Sequence, residues 1–106
     1  MVKDSVDKTQ EEIIEEIAKA LGRSGDLLEG VLARLEALGR EMDAAEDSRE
    51  YNSRVEEYNT LRLEALRRKE MLMIHREAIG VRKHRYLDIY YPIPSKRTLK
   101  PVSGHE

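Results

Sequence analysis

The chain has 106 residues, room for one domain. Charged residues make up 38% and aromatics 5%, and Trp, Phe and Cys are absent, which argues against a wide compact core and removes disulfide and thiol chemistry. The net charge of −2 hides an imbalance: residues 1–60 hold 8 Lys/Arg against 16 Asp/Glu, residues 61–106 hold 11 against 5, and the pI near 6.0 excludes a binder that is basic over its whole surface.

A composition rich in Glu, Arg, Leu, Ala and Lys points to long helices. All 3 prolines lie at Pro92 or later, so the first 91 residues lack the strongest helix breaker. No stretch resembles a signal peptide or reaches the roughly 18 apolar residues that span a bilayer. The expected location is cytoplasmic.

Residues 1–8 are short and polar and read as a frayed end. Thr9 followed by Glu12 fits a capping box, in which hydroxyl and carboxylate each satisfy a backbone N–H left unpaired at the helix start. A heptad seam follows: Ile14, Ile17, Leu21, Ser24, Leu28, Val31, Leu35, Leu38, Met42 and Ala45. Ile13, Leu27 and Leu32 widen it, as in a helix facing a bundle core. The seam keeps its phase across Gly22-Arg23-Ser24-Gly25, so it predicts one helix over 9–45. Gly30 and Gly39 lie off the seam, where they allow close approach of a neighbour.

Residues 46–48 read as the turn, with Asp47 or Ser48 capping the next helix and Glu50 completing a weaker capping box. A second helix is expected over 49–90, with the stripe Tyr51, Val55, Tyr58, Leu61, Ala65, Leu72, Ile79, Tyr86 and Tyr90. Arg62, Lys69, Arg76 and Lys83 repeat every seven beside that stripe. Glu29, Glu36 and Asp43 repeat every seven along the first helix, and direct pairing of the two rows is expected.

A second apolar strip, Leu63, Met71, Ile74, Ala78 and Val81, lies away from the first. Two helices that bury one face each leave it uncovered, and the usual solution is a second copy. The alternative is that the C-terminal segment folds back over it. That segment, Tyr90-Tyr91-Pro92-Ile93-Pro94, is apolar and stiff, and it reads as extended or polyproline-like. Residues 95–106 read as disordered.

Little chemistry is legible. Leu72 and Val81 stand three before His75 and His84, where a helical metal site needs Glu. No metal, cofactor or catalytic residue is expected. His75 is followed by Ala78 and Ile79, where a phosphate-accepting helix typically carries Lys and Gly. The expected fold is all-α: a long antiparallel helical hairpin over 1–91 with a tail over 92–106, two copies forming a four-helix bundle. The expected function is that of a non-enzymatic adaptor, assembly or chaperone-like protein. Its interaction surface comprises Met71, Ile74, Ala78, Val81, Tyr90, Tyr91 and Ile93. The alternative is a nucleic-acid-binding hairpin using Arg67, Arg68, Lys69, Arg82, Lys83 and Arg85.

Overall fold

The structure is a computed structural model that describes the backbone of residues 2–102 and the side chains of residues 8–102. The chain is all-helical, in the order α1 (Val2–Asp43), α2 (Ser48–Asn52), α3 (Val55–Ala78) and α4 (Arg85–Tyr90), with no strand among the described residues. It forms a rod of 84 × 20 × 16 Å. No described helix is long and apolar enough to cross a membrane.

α1 forms along the heptad seam and buries that face. Ser24, Leu28, Val31, Leu35, Leu38 and Met42 are each 5% exposed or less. The helix runs unbroken through Gly22 and Gly25. Ser24 points inward, its hydroxyl oxygen 2.5 Å from Nδ1 of His75 on α3. The expected start at Thr9 moves to Val2, since residues 2–8 contain neither Gly nor Pro to stop the helix. Thr9 therefore lies inside α1 and is not its cap.

The contacts between α1 and α3 run in reverse order. Glu41 meets Arg54, Arg34 meets Glu64, and Ser24 meets His75. Two clusters of buried side chains fill the seam between them. One joins Leu35, Leu38 and Met42 to Tyr51, Val55 and Tyr58; the other joins Leu28 and Val31 to Ala65, Leu72 and Leu87.

The second arm is not the continuous helix expected over 49–90. Asp47 caps α2, its carboxylate accepting the Glu50 N–H at 2.9 Å. α2 then stops at Asn52. Ser53 turns its hydroxyl back onto the Glu50 carbonyl at 2.7 Å, a local bond that competes with the helix ladder. α3 ends at Ala78 in a Schellman turn: the Gly80 N–H bonds the Glu77 carbonyl and the Val81 N–H bonds the Arg76 carbonyl, each at 3.0 Å. Gly80 sits at φ +93°, a conformation that side chains with a Cβ rarely adopt. The chain reverses over 79–84, and α4 drops Leu87 into the inner cluster. Residues 91–102 then run back towards α2 as an extended strap, so the disorder expected from residue 95 does not apply to residues 95–102. Residues 103–106 of that expectation lie outside the described residues.

Candidate functional site: outer strip and strap groove

The outer strip follows from helix geometry. Ala65 and Leu72 face α1, so Leu63, Met71, Ile74 and Ala78 project from other sides of α3. Leu63 is 51% exposed, Met71 45% and Ile74 47%, and Ala78 is exposed. The strap does not fold over them. Val81 is half-buried beyond the Schellman turn, off the helix. Tyr90 is exposed and stacked on Tyr86, ring centres 4.1 Å apart. Tyr91 and Ile93 pack against the inner cluster of their own chain. The seven residues expected to form one surface are thus divided between the strip, the bend and the strap.

The basic set expected for nucleic acid is divided as well. Arg67, Arg82, Lys83 and Arg85 are exposed. Arg68 lies beside Glu64 at 3.9 Å. Lys69 is turned inward: its ammonium pairs with Asp88 and donates to the Tyr91 carbonyl, both at 2.9 Å.

The direct pairing expected between the two seven-residue rows does not form, because the strap lies between them. Glu29 accepts from the Tyr91 hydroxyl at 2.9 Å, and Asp43 pairs with Arg97 at 2.7 Å. Glu36 turns to Arg40 on its own helix. On the other wall, Arg62 donates to the Pro94 carbonyl at 2.7 Å, and Lys69 donates to Tyr91 as above. Asn59 donates to the Arg97 carbonyl at 2.8 Å and accepts the Arg97 N–H at 2.9 Å. Asn52 repeats this pair with Lys100, at 2.9 and 2.7 Å.

The strap carbonyls held in this way belong to residues 91, 94, 97 and 100. Every third carbonyl faces the same stripe, the period of a polyproline II helix. Lengths match too. Nine strap residues at ~3.1 Å each span about 28 Å. The stripe from Asn52 to Lys69 spans about 25 Å at ~1.5 Å per residue. The groove therefore reads main chain along its whole length.

One strap side chain is recognised in depth. The Arg97 guanidinium lies 4.7 Å from the Tyr58 ring centre and 5.8 Å from that of Tyr51, and Lys100 lies 3.9 Å from the Tyr51 ring centre. A Cβ added at Gly39 would sit 3.1 Å from Arg97 Nη2 and 3.4 Å from Tyr58, so the missing side chain makes room for this approach. The hydrogen bond from Arg97 holds the Asp43 carboxyl below its usual range. The hydrogen bond to Glu29, helped by burial, pushes the Tyr91 phenol up. Between α1 and the strap a cleft of about 860 Å³ remains, with Glu29, Glu36 and Asp43 on its α1 side. No group of three or more His, Asp and Glu among the described residues is placed to hold a metal.

Asn52, Asn59 and the tyrosine pair around Arg97 did not stand out as a site in the sequence. Their signal was present: Asn52 and Asn59 are spaced seven apart, as are Tyr51 and Tyr58 and the two charged rows. Comparison of the chain with protein-family models, with curated proteins and with solved structures yields no match, so the reading rests on the geometry above.

Proposed function

We propose that this chain is a small non-enzymatic interaction or assembly protein that works through an apolar helical surface. α1 and the second arm act as a helical hairpin, and two hairpins join through the outer strip of α3 as a four-helix bundle. The observation that carries this reading is the state of the strip. Leu63, Met71 and Ile74 stay about half exposed while the strap, the segment long enough to cover them, is committed to the groove beside α1. A contiguous apolar strip left open to solvent supports an interaction role. Methionine suits it, since its flexible thioether adapts to irregular surfaces. The groove offers main-chain hydrogen bonds and a cation slot, which are means of holding a peptide, not of transforming a substrate.

Light scattering of Ile74→Asp over a wide concentration range tests the proposal. Loss of the dimer mass with helicity retained supports it, and a mass equal to that of the parent chain rules it out. The nucleic-acid reading retains Arg67, Arg82, Lys83 and Arg85. It requires a salt-sensitive shift of a mixed DNA and RNA probe at low ionic strength.

A further inference from the structure

Two apolar rows lose cover past the bend: Leu21 is half-buried at the edge of the inner cluster and Tyr86 lies against Tyr90 and Arg76, while Ile14 and Ile79 stay open. Leu28 shares the inner cluster with Leu72, and Met42 shares the other with Tyr58. Carried on in steps of seven, these become two rows: Met42, Leu35, Leu28, Leu21 and Ile14 on α1, and Tyr58, Ala65, Leu72, Ile79 and Tyr86 on the second arm. The first three members of each row are buried. Ile14 is 64% exposed, Ile79 46% and Tyr86 51%. Antiparallel helices keep such rows in register from turn to turn. In a straight second arm, Ile79 falls opposite Leu21 and Tyr86 opposite Ile14. The partly covered ends are complementary.

The bend that separates them depends on Gly80, whose positive φ permits the Schellman turn. Its surroundings are imperfectly satisfied. Arg76 Nε and His84 Nδ1 are buried there with no hydrogen-bond partner among the described residues.

The groove, for its part, does not require a ligand from its own chain. It holds carbonyls at every third residue and one arginine, and any copy of the strap offers both. Direction fits as well. A straight second arm carries the strap onward, away from its own groove. That is the direction in which the groove of an antiparallel second copy runs.

We propose that the chain has a second, straight-armed form in which residues 79–90 continue α3, Ile79 and Tyr86 cover Leu21 and Ile14, and residues 91–100 occupy the groove of a second copy that returns the exchange. The proposal rests on reading the protein as self-associating, but it uses a different surface from the outer strip. The bent form keeps Leu87 in the inner cluster and gains from intramolecular linkage of strap and groove. Exchange therefore grows with protein concentration.

The absence of cysteine from the chain makes a clean test possible. Full-length Asn52→Cys is mixed with full-length Lys100→Cys, each with and without Gly80→Ala, and oxidised. Residues 52 and 100 are partners across the groove, so a disulfide between the two different chains reports a strap in the other copy's groove. A Cβ at residue 80 disfavours the bend, and the mixed product should rise about 5- to 30-fold. Circular dichroism should show a small rise in total helix, as expected when residues 79–84 join α3. Arg67→Cys, exposed on α3 and away from the strap, should give far less mixed product when it replaces Asn52→Cys. Absence of the mixed disulfide, or an equal yield from the Arg67→Cys chain, overturns the proposal. If Gly80→Ala does not fold, the Gly80 chains decide at rising concentration: a mixed product that grows supports exchange, and none overturns it. Ile74→Asp reads the outer strip alone, so the two failures are distinguishable.

Discussion

Asn59 grips the backbone of Arg97 with both ends of its side-chain amide, giving a hydrogen bond to the carbonyl at 2.8 Å and taking one from the N–H at 2.9 Å. A peptide unit is matched by an amide of the same polarity, so two backbone groups of the strap are satisfied by one residue. Each such bond contributes about 0.5–1.5 kcal/mol net. Asn59→Ala should weaken strap docking by about 1–3 kcal/mol. Amide hydrogen exchange at residues 97–100 should speed up, while the buried positions of α1 stay protected. Unchanged exchange there would refute the role given to Asn59.

Arg97 is held by shape as well as charge. Its guanidinium reaches both oxygens of Asp43, at 2.7 and 3.5 Å, while lying over Tyr58. Arg97→Lys keeps the charge and loses the planar fork and the stacking. It should loosen the strap almost as much as Arg97→Ala, as read by tryptic cleavage after Lys96. The pH response follows from Asp43, whose folded pKa lies below its ordinary value of 3.8 because Arg97 bonds the charged form. Its contribution is present above that ordinary value and is lost as pH falls through the lowered one. The Arg97 end of the strap should therefore loosen as pH falls below 3.8, and Asp43→Asn should remove that contribution.

At the other end of the strap the sign reverses. The Tyr91 hydroxyl donates to Glu29, and its pKa is raised above 10.0. Stability from this contact is complete below the ordinary phenol value and is lost as pH rises through the raised one. Tyr91→Phe should leave behaviour at neutral pH nearly intact and remove one late-titrating phenol from the alkaline absorbance titration. An unaltered titration would mean that Tyr91 and Glu29 are not paired in solution.

Two neighbouring positions on α1 should respond in opposite senses. Leu28 is fully buried between the arms, and Leu28→Ala should cost about 2–5 kcal/mol through lost contact and a residual cavity. Gly30 is exposed with open space around it. Gly30→Ala should add roughly 0.5–1 kcal/mol by restricting the unfolded chain and improving helix propensity. Urea unfolding measures both as shifts of midpoint at constant slope.

Part of the site was within reach of sequence reasoning. The seven-residue spacing of Glu29, Glu36 and Asp43 and of Arg62, Lys69 and Arg76 marked two charged rows of opposite sign. Direct pairing was expected of them because spacing says which residues share a face, not what lies between two faces. The tyrosine and asparagine rows were hidden for the same reason. Tyr51 and Tyr58 read as core, and their rings do close the core, yet each also presents an edge of the slot that takes a strap cation. Gly80 was a local signal of the helix end, outweighed by an apolar stripe that continues through Ile79 and Tyr86.

Helices that follow one uninterrupted pattern are written in local residue order. The alternating steps of three and four from Leu28 to Met42 specify both helix and buried face, since only one side of a 3.6-residue turn can be apolar at that spacing. The same local order sets the Asp47 cap, which depends on atoms three residues apart. Where the second arm bends, which rows pair and what fills the groove are set by long-range packing. Those outcomes depend on residues 38 to 62 positions apart in the chain. Glu29 meets Tyr91, Asp43 meets Arg97, and Asn59 meets Arg97 because the bend at Gly80 returns the strap along α3, and no local periodicity records that return.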